Sequence, residues 1–259
     1  MNPEALAKTS RAGAGQRVLA ILPALNEAGN IETVVRELRA LTPQPDVLVI
    51  DDGSTDDTAA IAKRAGAAVL KMPFNSGIGA TVQAGLTYAV RYEYDIVARF
   101  DGDGQHDPLA LDRLRVPIDE DRADFVLGSR YIEQAGFKST ALRRLGSWWF
   151  GVLLRPVMRM RITDPTSGCW VANSRAVRVL YAEYSYDYPE VDSLVRLSRC
   201  GCRVAEVPVQ MRQREVGESS IFGLKVPYYM LKVTLALLIA WLRPADPLPA
   251  GSFPRAPGP

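Results

Sequence analysis

Val97-Ala-Arg-Phe-Asp-Gly-Asp-Gly-Gln-His-Asp-Pro108 joins an apolar run to an acidic, glycine-rich loop. Residues 95–100 read as a strand, and two carboxylates two residues apart follow it, Asp101 and Asp103, each with a glycine after it. In an extended segment residues i and i+2 point to the same side, so both carboxylates can face one point just past the strand end. Gly102 and Gly104 allow a sharp turn and close approach of a ligand. Two hard oxygen donors on an open loop suit Mg2+ or Mn2+, which proteins hold with one or two carboxylates while substrate phosphates complete the shell. Asp and Gly are also ordinary turn residues, so a plain strand-to-helix turn is the competing reading.

The rest of the first half decides between them. Residues 17–22 form a first apolar strand that stops at Pro23-Ala-Leu-Asn-Glu27. Asn30 is placed to cap a helix over 31–41, with Ile31, Val34, Val35 and Leu38 on one stripe. A second strand, 47–50, is apolar throughout, as a central parallel strand should be, and runs into Asp51-Asp-Gly-Ser-Thr-Asp56. Ser54 is a natural cap for a helix over 55–65. A third strand at 67–70, a helix over 76–90 and a helix opened by Asp107-Pro108 complete the half. Alternating strands and helices imply a parallel sheet with right-handed crossovers, whose ligands sit beyond the carboxyl ends of the strands. Asn26-Glu27, Asp51-Asp52 and Asp101/Asp103 each follow a strand, so three polar loops converge on one edge.

The second half is less regular. Strand 125–128 ends in Gly128-Ser-Arg-Tyr131, and residues 140–160 make a basic, aromatic helix carrying Arg143, Arg144, Trp148, Trp149 and Phe150. A loop from Thr163 enters a short strand at Trp170. Helices follow from Ser174 to about 182 and over 189–199, and 204–211, which contains Pro208, reads as an edge or bent strand. Composition is ordinary for a globular chain, 259 residues with 47% hydrophobic and 23% charged, and a formal net charge of +2 offers no bulk attraction to nucleic acid. Cys169, Cys200 and Cys202 are an odd, sparse set, which argues for a reducing compartment and against a disulfide framework. Residues 1–16 read as a disordered lead-in and 244–259 as a proline-rich disordered tail. Between domain and tail, 221–243 is an apolar helix. Its uninterrupted core is at the lower limit for a membrane span and includes Lys232, so the expectation is a helix at the membrane interface, with a packed partner as the alternative.

Taken together, Pro23-Ala-Leu-Asn-Glu27, Asp51-Asp-Gly-Ser-Thr-Asp56, Asp101-Gly-Asp-Gly-Gln-His-Asp-Pro108 and Gly128-Ser-Arg-Tyr131 resemble the family 2 glycosyltransferases, and within them the dolichol/polyprenol-phosphate mannosyl- and glucosyltransferase branch. The resemblance covers residues 17–220. It implies an α/β GT-A fold (Rossmann-like, with a mostly parallel central sheet and flanking helices), a nucleotide-sugar donor, a Mg2+ or Mn2+ cofactor and inversion at the anomeric carbon. Position by position, it gives Pro23, Ala24, Asn26 and Glu27 to the nucleoside loop. Asp52 receives a hydrogen bond from the base; Asp101, Asp103 and Gln105 serve the metal. Arg130 and Arg144 fall to the acceptor phosphate. Arg214 with Gly217 and Ser219 falls to the donor phosphates, and Asp192 or Glu190 to the acceptor side. Their order is open, because the branch often carries Gln-x-Glu where this chain has Glu190-Val-Asp192.

An acceptor phosphate is already anionic and needs only arginines to position it, whereas a sugar hydroxyl needs a carboxylate to take its proton. The expected partners are therefore a nucleotide-sugar (GDP-mannose or a UDP-hexose), a lipid-phosphate or glycan acceptor, and a membrane surface met through 221–243. The place expected for it is the cytoplasm, peripheral on the inner face of the membrane. A homo-oligomer or a small membrane-protein partner is compatible with the chain; nucleic acid is not expected. Bland and rival readings stand beside this. Arg130 can simply pair with a surface carboxylate, and His106, the only histidine, can bond its own backbone. Gly77-Ile-Gly79 partly matches a dinucleotide fingerprint, but lacks the third glycine and sits after the wrong strand. A sugar nucleotidyltransferase would open on a glycine- and lysine-rich loop where Pro23–Gly29 stands, and a non-catalytic nucleotide-sugar binder would not need Asp101, Asp103 and Arg214 together.

Overall fold

The structure is a computed structural model. It describes residues 15–132, 141–158, 160–182, 184–185 and 189–212, with Pro3, Glu4, Leu6, Thr234 and Leu235 besides. Seven strands form one sheet: β1 (Val18–Ala24), β2 (Asp46–Asp51), β3 (Ala68–Lys71), β4 (Ile96–Arg99), β5 (Phe125–Ser129), β6 (Trp170–Asn173) and β7 (Val204–Pro208). Their order is β3-β2-β1-β4-β6-β5-β7, with only β6 antiparallel to its neighbours. Among the described residues the helices are α1 (Ile31–Arg39), α2 (Thr58–Arg64), α3 (Ile78–Arg91), α4 (Ala110–Asp119), α5 (Ala141–Met158), α6 (Ser174–Ala182) and α7 (Pro189–Arg199). The mostly parallel α/β sheet is the expected one, and β7 with its terminal Pro208 is an edge strand as its proline requires.

Alternation along β1 divides the core. Leu19 and Ile21 face one side with Leu48, Ile50 and Val97, under α3 and the helices of the second half. Ala20 and Leu22 face the other with Val49, Ala98 and Phe100, against Ile31, Val34, Val35 and Leu38 of α1 and Leu111 and Leu114 of α4. Both faces are thus covered, which is why these strands read as continuous apolar runs.

Local details differ from the sequence reading. β1 runs through Pro23 and Ala24, which are buried strand residues and not loop. On that side the β4 ladder pairs end at Ile21↔Arg99, and beyond them Pro23 contributes only its carbonyl, which accepts the Gly102 N–H. α2 starts at Thr58, three residues later than expected, and Ser54 does not cap it: the Ser54 hydroxyl accepts the Asn26 N–H at 3.0 Å. Asn30 does precede α1, but its amide donates to Glu27 and makes no cap hydrogen bond. α4 begins at Ala110, after a turn in which the Asp107 carboxylate accepts the Leu109 N–H. Of the 221–243 helix, only Thr234 and Leu235 are described, and both are helical. Among the described residues no helix is long and apolar enough to cross a membrane.

Candidate active site

β1, β2, β4 and β5 all end at one edge of the sheet, and β6, being antiparallel, begins there, with Trp170 opposite Arg99. The topology therefore delivers the loops after Ala24, Asp51, Arg99 and Ser129, and the loop from Thr163 to Cys169, to the same place. The loops of Asn26, Asp52 and Asp101 meet at this edge as the sequence spacing implied, and Arg130, after β5, joins them.

The loops after β1 and β2 are laced together. Asn26, with φ +56°, accepts the Thr55 N–H at 2.9 Å on its side-chain oxygen, and the Glu27 N–H donates to the Thr58 hydroxyl at 2.8 Å. Pro23 and Ala24 contribute backbone: their carbonyls accept the N–H groups of Gly102 and Asp52. The Asp52 carboxylate takes the N–H of Ser76 at 2.7 Å and of Gly77 at 2.9 Å, so it fastens the start of α3 to β2. A carboxylate offers about four acceptor positions, so these two bonds do not use up its capacity. Gly53, at φ +76°, lies so near the Phe74 backbone that a Cβ there would come within 2.8 Å of it.

The acidic loop is organised by a residue the sequence reading passed over. Arg99, an arginine in an otherwise apolar strand, is buried at the strand end. Its Nη2 donates to Asp101 Oδ1 at 3.3 Å and its Nη1 to Glu190 Oε1 at 3.1 Å. Burial opposes the charge on Arg99, but the Asp101 carboxylate beside it overrides that and holds the guanidinium firmly protonated. In turn, burial works against the charged form of Asp101, and Arg99 holds the carboxyl below its usual range. Glu190 thus faces the site from the first turn of α7, while Asp192 lies about 200° further round the helix. The Asp101 N–H donates to Nδ1 of His106 at 3.2 Å, so the histidine does bond its own loop, and burial lowers its pKa. Asp103 Oδ1 accepts the Gln105 N–H, closing the turn around Gly104 at φ +75°. Above Asp101 stands Gly168: a Cβ there would lie 2.8 Å from Oδ2 and 3.1 Å from Oδ1.

After β5, Arg130 is held bidentately by Asp164, with both N···O distances at 2.6 Å, and also donates to Thr166 Oγ1. Asp164 is fully buried, so the bland expectation for Arg130, a carboxylate pair, is realised, but inside the site and not at the surface. Glu206 of β7 accepts the N–H groups of Thr163 and Asp164 and fixes that loop. Arg212 ties the acidic loop down from outside: its guanidinium reaches Glu37 at 2.7 Å and Asp107 at 2.9 Å, and its N–H bonds the Gln105 carbonyl. Arg144 falls in α5, but its side chain lies outside the described residues, as do Arg214 and Ser219 altogether.

The donor set fits a hard divalent cation. Among the described residues no three His, Cys, Asp or Glu side chains converge to cage an ion by themselves. Asp101, 34% exposed, and Asp103 present carboxylates from one loop, the arrangement that leaves coordination positions for phosphate oxygens.

This sheet order, with acidic loops gathered at the carboxyl edge, is that of a GT-A glycosyltransferase. The same fold is seen in glucosyl-3-phosphoglycerate synthase from Mycobacterium tuberculosis, crystallised with Mn2+, UDP and glucosyl-3-phosphoglycerate. The TM-score is 0.67 at 24% identity, over 91% of this chain and 83% of that one. Residues 19–180 match the description Glycosyl transferase family 2. An undecaprenyl-phosphate mannosyltransferase of Micrococcus luteus is 33% identical over 84% of this chain and 93% of its own. A polyprenol monophosphomannose synthase of Mycolicibacterium smegmatis is 32% identical over 84% and 86%. The chain belongs to glycosyl transferase family 2 and is a glycosyltransferase, similar to the enzymes that glycosylate polyprenol phosphates.

Proposed function

We propose that this protein transfers a hexose from a nucleotide-sugar (GDP-mannose or a UDP-hexose) to a polyprenyl phosphate, with inversion at the anomeric carbon. The observation that carries the acceptor choice is the Arg99–Glu190 pair. A hydroxyl acceptor requires a carboxylate able to take its proton, and Glu190 is committed to a buried guanidinium. A phosphate requires cations, and Arg130, whose Nη1 stands outside the Asp164 fork formed through Nε and Nη2, is the group for it with Arg144 from α5. The names of the two bacterial relatives point the same way. Asp52 and the Asn26–Glu27 loop bind the nucleoside. Mg2+ or Mn2+, held by Asp101 and Asp103 with Gln105, would neutralise the departing diphosphate. Arg214 and Ser219 add to that side by closing on the donor phosphates. The acceptor oxygen then attacks from the opposite face, so an α-linked donor gives a β-linked product. A polyprenyl acceptor places the protein at the inner membrane face, with 221–243 on the bilayer surface.

The test is sugar transfer to undecaprenyl phosphate in detergent micelles, run with GDP-mannose and with UDP-glucose, with Mn2+ or with EDTA. Labelled sugar should appear on the lipid from one donor only, and EDTA should abolish it. Transfer to a free glycan with none to the lipid phosphate would establish the hydroxyl-acceptor alternative and overturn this reading.

A further inference from the structure

We propose that Arg99 is the positioning residue of the metal site, and that it acts with Glu190 as a neutral pair. The inference rests on the divalent-cation site proposed above. Three observations converge on one carboxylate. Arg99 Nη2 grips Oδ1 of Asp101 at 3.3 Å. Gly168 leaves no more room than Asp101 needs, since a Cβ there would sit 2.8 Å from Oδ2. The Asp101 N–H is itself tied to His106. The carboxylate is thereby gripped at Oδ1 and walled beside Oδ2, while its own backbone is pinned, and Asp103 follows two residues on in the same loop.

An arginine this buried needs its charge balanced, and Asp101 cannot serve alone if it also binds a cation. Glu190 resolves the conflict. Its Oε1 lies 3.1 Å from Arg99 Nη1, and the Tyr184 hydroxyl also interacts with the guanidinium. Glu190 neutralises Arg99, so the Asp101 charge remains available to the cation. Arg99 Nε has no hydrogen-bond partner among the described residues, so the guanidinium is oriented through its two Nη atoms. Groups that orient a ligand without touching the ion typically change metal affinity by about 10–100-fold when removed.

The double variant Arg99→Met/Glu190→Gln isolates this role. It removes one positive and one negative charge together, so the net field on the cation barely changes, and what is lost is the grip on Asp101. Free Mn2+ would be measured by electron paramagnetic resonance during titration in the presence of GDP or UDP, whichever diphosphate binds the wild type. Affinity of the same diphosphate would be measured separately in EDTA. The expected result is Mn2+ affinity weakened by about tenfold or more, with diphosphate affinity in EDTA unchanged. Mn2+ affinity within twofold of wild type overturns the proposal. So does an equal fall in both affinities, which would mean a structural role only. If the double variant does not fold, Arg99→Lys, which keeps the charge but loses the fork, carries the same expectation and the same refutation. A wild type indifferent to Mn2+ would overturn the underlying metal reading as well, and is distinguishable because it appears before any variant is made.

Discussion

Gly168→Ala would add one methyl group to the wall of the site, and the structure says where the strain goes. The new Cβ would lie 2.8 Å from Asp101 Oδ2, 3.1 Å from Oδ1 and 3.2 Å from Arg99 Nη2. Comfortable non-bonded contact begins near 3.5 Å, so the carboxylate must retreat by roughly 0.5 Å or more. The obstacle is the tip of a side chain and not backbone, so it can move. Overpacking costs of about 1–3 kcal/mol are usual, and the lower end applies here. For a chain of this length that is a fall in Tm of about 2–4 °C per kcal/mol. Retreat also lengthens the 3.3 Å bond to Arg99 beyond hydrogen-bond reach. Displacement of a reacting or coordinating group by about 1 Å can cost 10²-fold in rate. The assay pairs thermal melting with initial rates of sugar transfer over a Mn2+ series. A variant that melts within a few degrees of wild type yet needs at least tenfold more Mn2+, or turns over roughly 10–100-fold more slowly, is the expected outcome. Wild-type turnover and Mn2+ dependence would refute the idea that Gly168 is there to admit the Asp101 carboxylate.

Three other outcomes are open to measurement. Asp103→Ala should keep the fold, since the Gln105 N–H that its Oδ1 accepts closes a local turn, while abolishing the Mn2+-dependent thermal shift produced by nucleotide; a retained shift would count against the cation site. Asp164→Ala strips the partly buried Arg130 of its bidentate partner and should cost up to about 3–5 kcal/mol in urea unfolding, because a largely desolvated charge loses its compensation; a loss under 1 kcal/mol would show that Arg130 finds other company. At the opposite end of the sheet, burial raises the Asp124 carboxyl, but hydrogen bonds from the Arg203 guanidinium and backbone N–H and from Asn173 outweigh it and hold the group down at about 2. A carboxyl depressed in the folded state stabilises above its ordinary pKa near 3.8, and that stabilisation is lost as pH falls toward 2. Asp124→Asn should therefore be less stable than wild type by about 2 kcal/mol at pH 7, the gap closing between about pH 4 and 2; a gap constant across that window would show that the charge is not the cause.

Strand and helix alternation was legible in the amino-acid sequence, and with it the sheet edge on which the loops of Asn26, Asp52 and Asp101 meet. These are properties of short spacing: period-two and period-3.6 patterns and polar residues directly after apolar runs can be read one segment at a time. Even there, short-range reading went astray where a side chain had a better distant partner. Ser54 left its expected helix cap for the Asn26 N–H, and Asn30 turned to Glu27. Pro23, a natural strand breaker, stayed in β1, paired with Ile50 of β2 on one side and accepting the Gly102 N–H on the other. What only the tertiary structure decided are the pairings across long stretches of chain. Glu190 meets Arg99 across 91 residues, Asp164 takes Arg130 across 34, and Gly168 stands over Asp101. A lone arginine in an apolar strand announces that some partner exists, since its charge cannot be buried unpaired, but not which carboxylate supplies it. That choice is made by the antiparallel entry of β6 and the docking of α7, which bring the second half of the chain over the loop formed by the first.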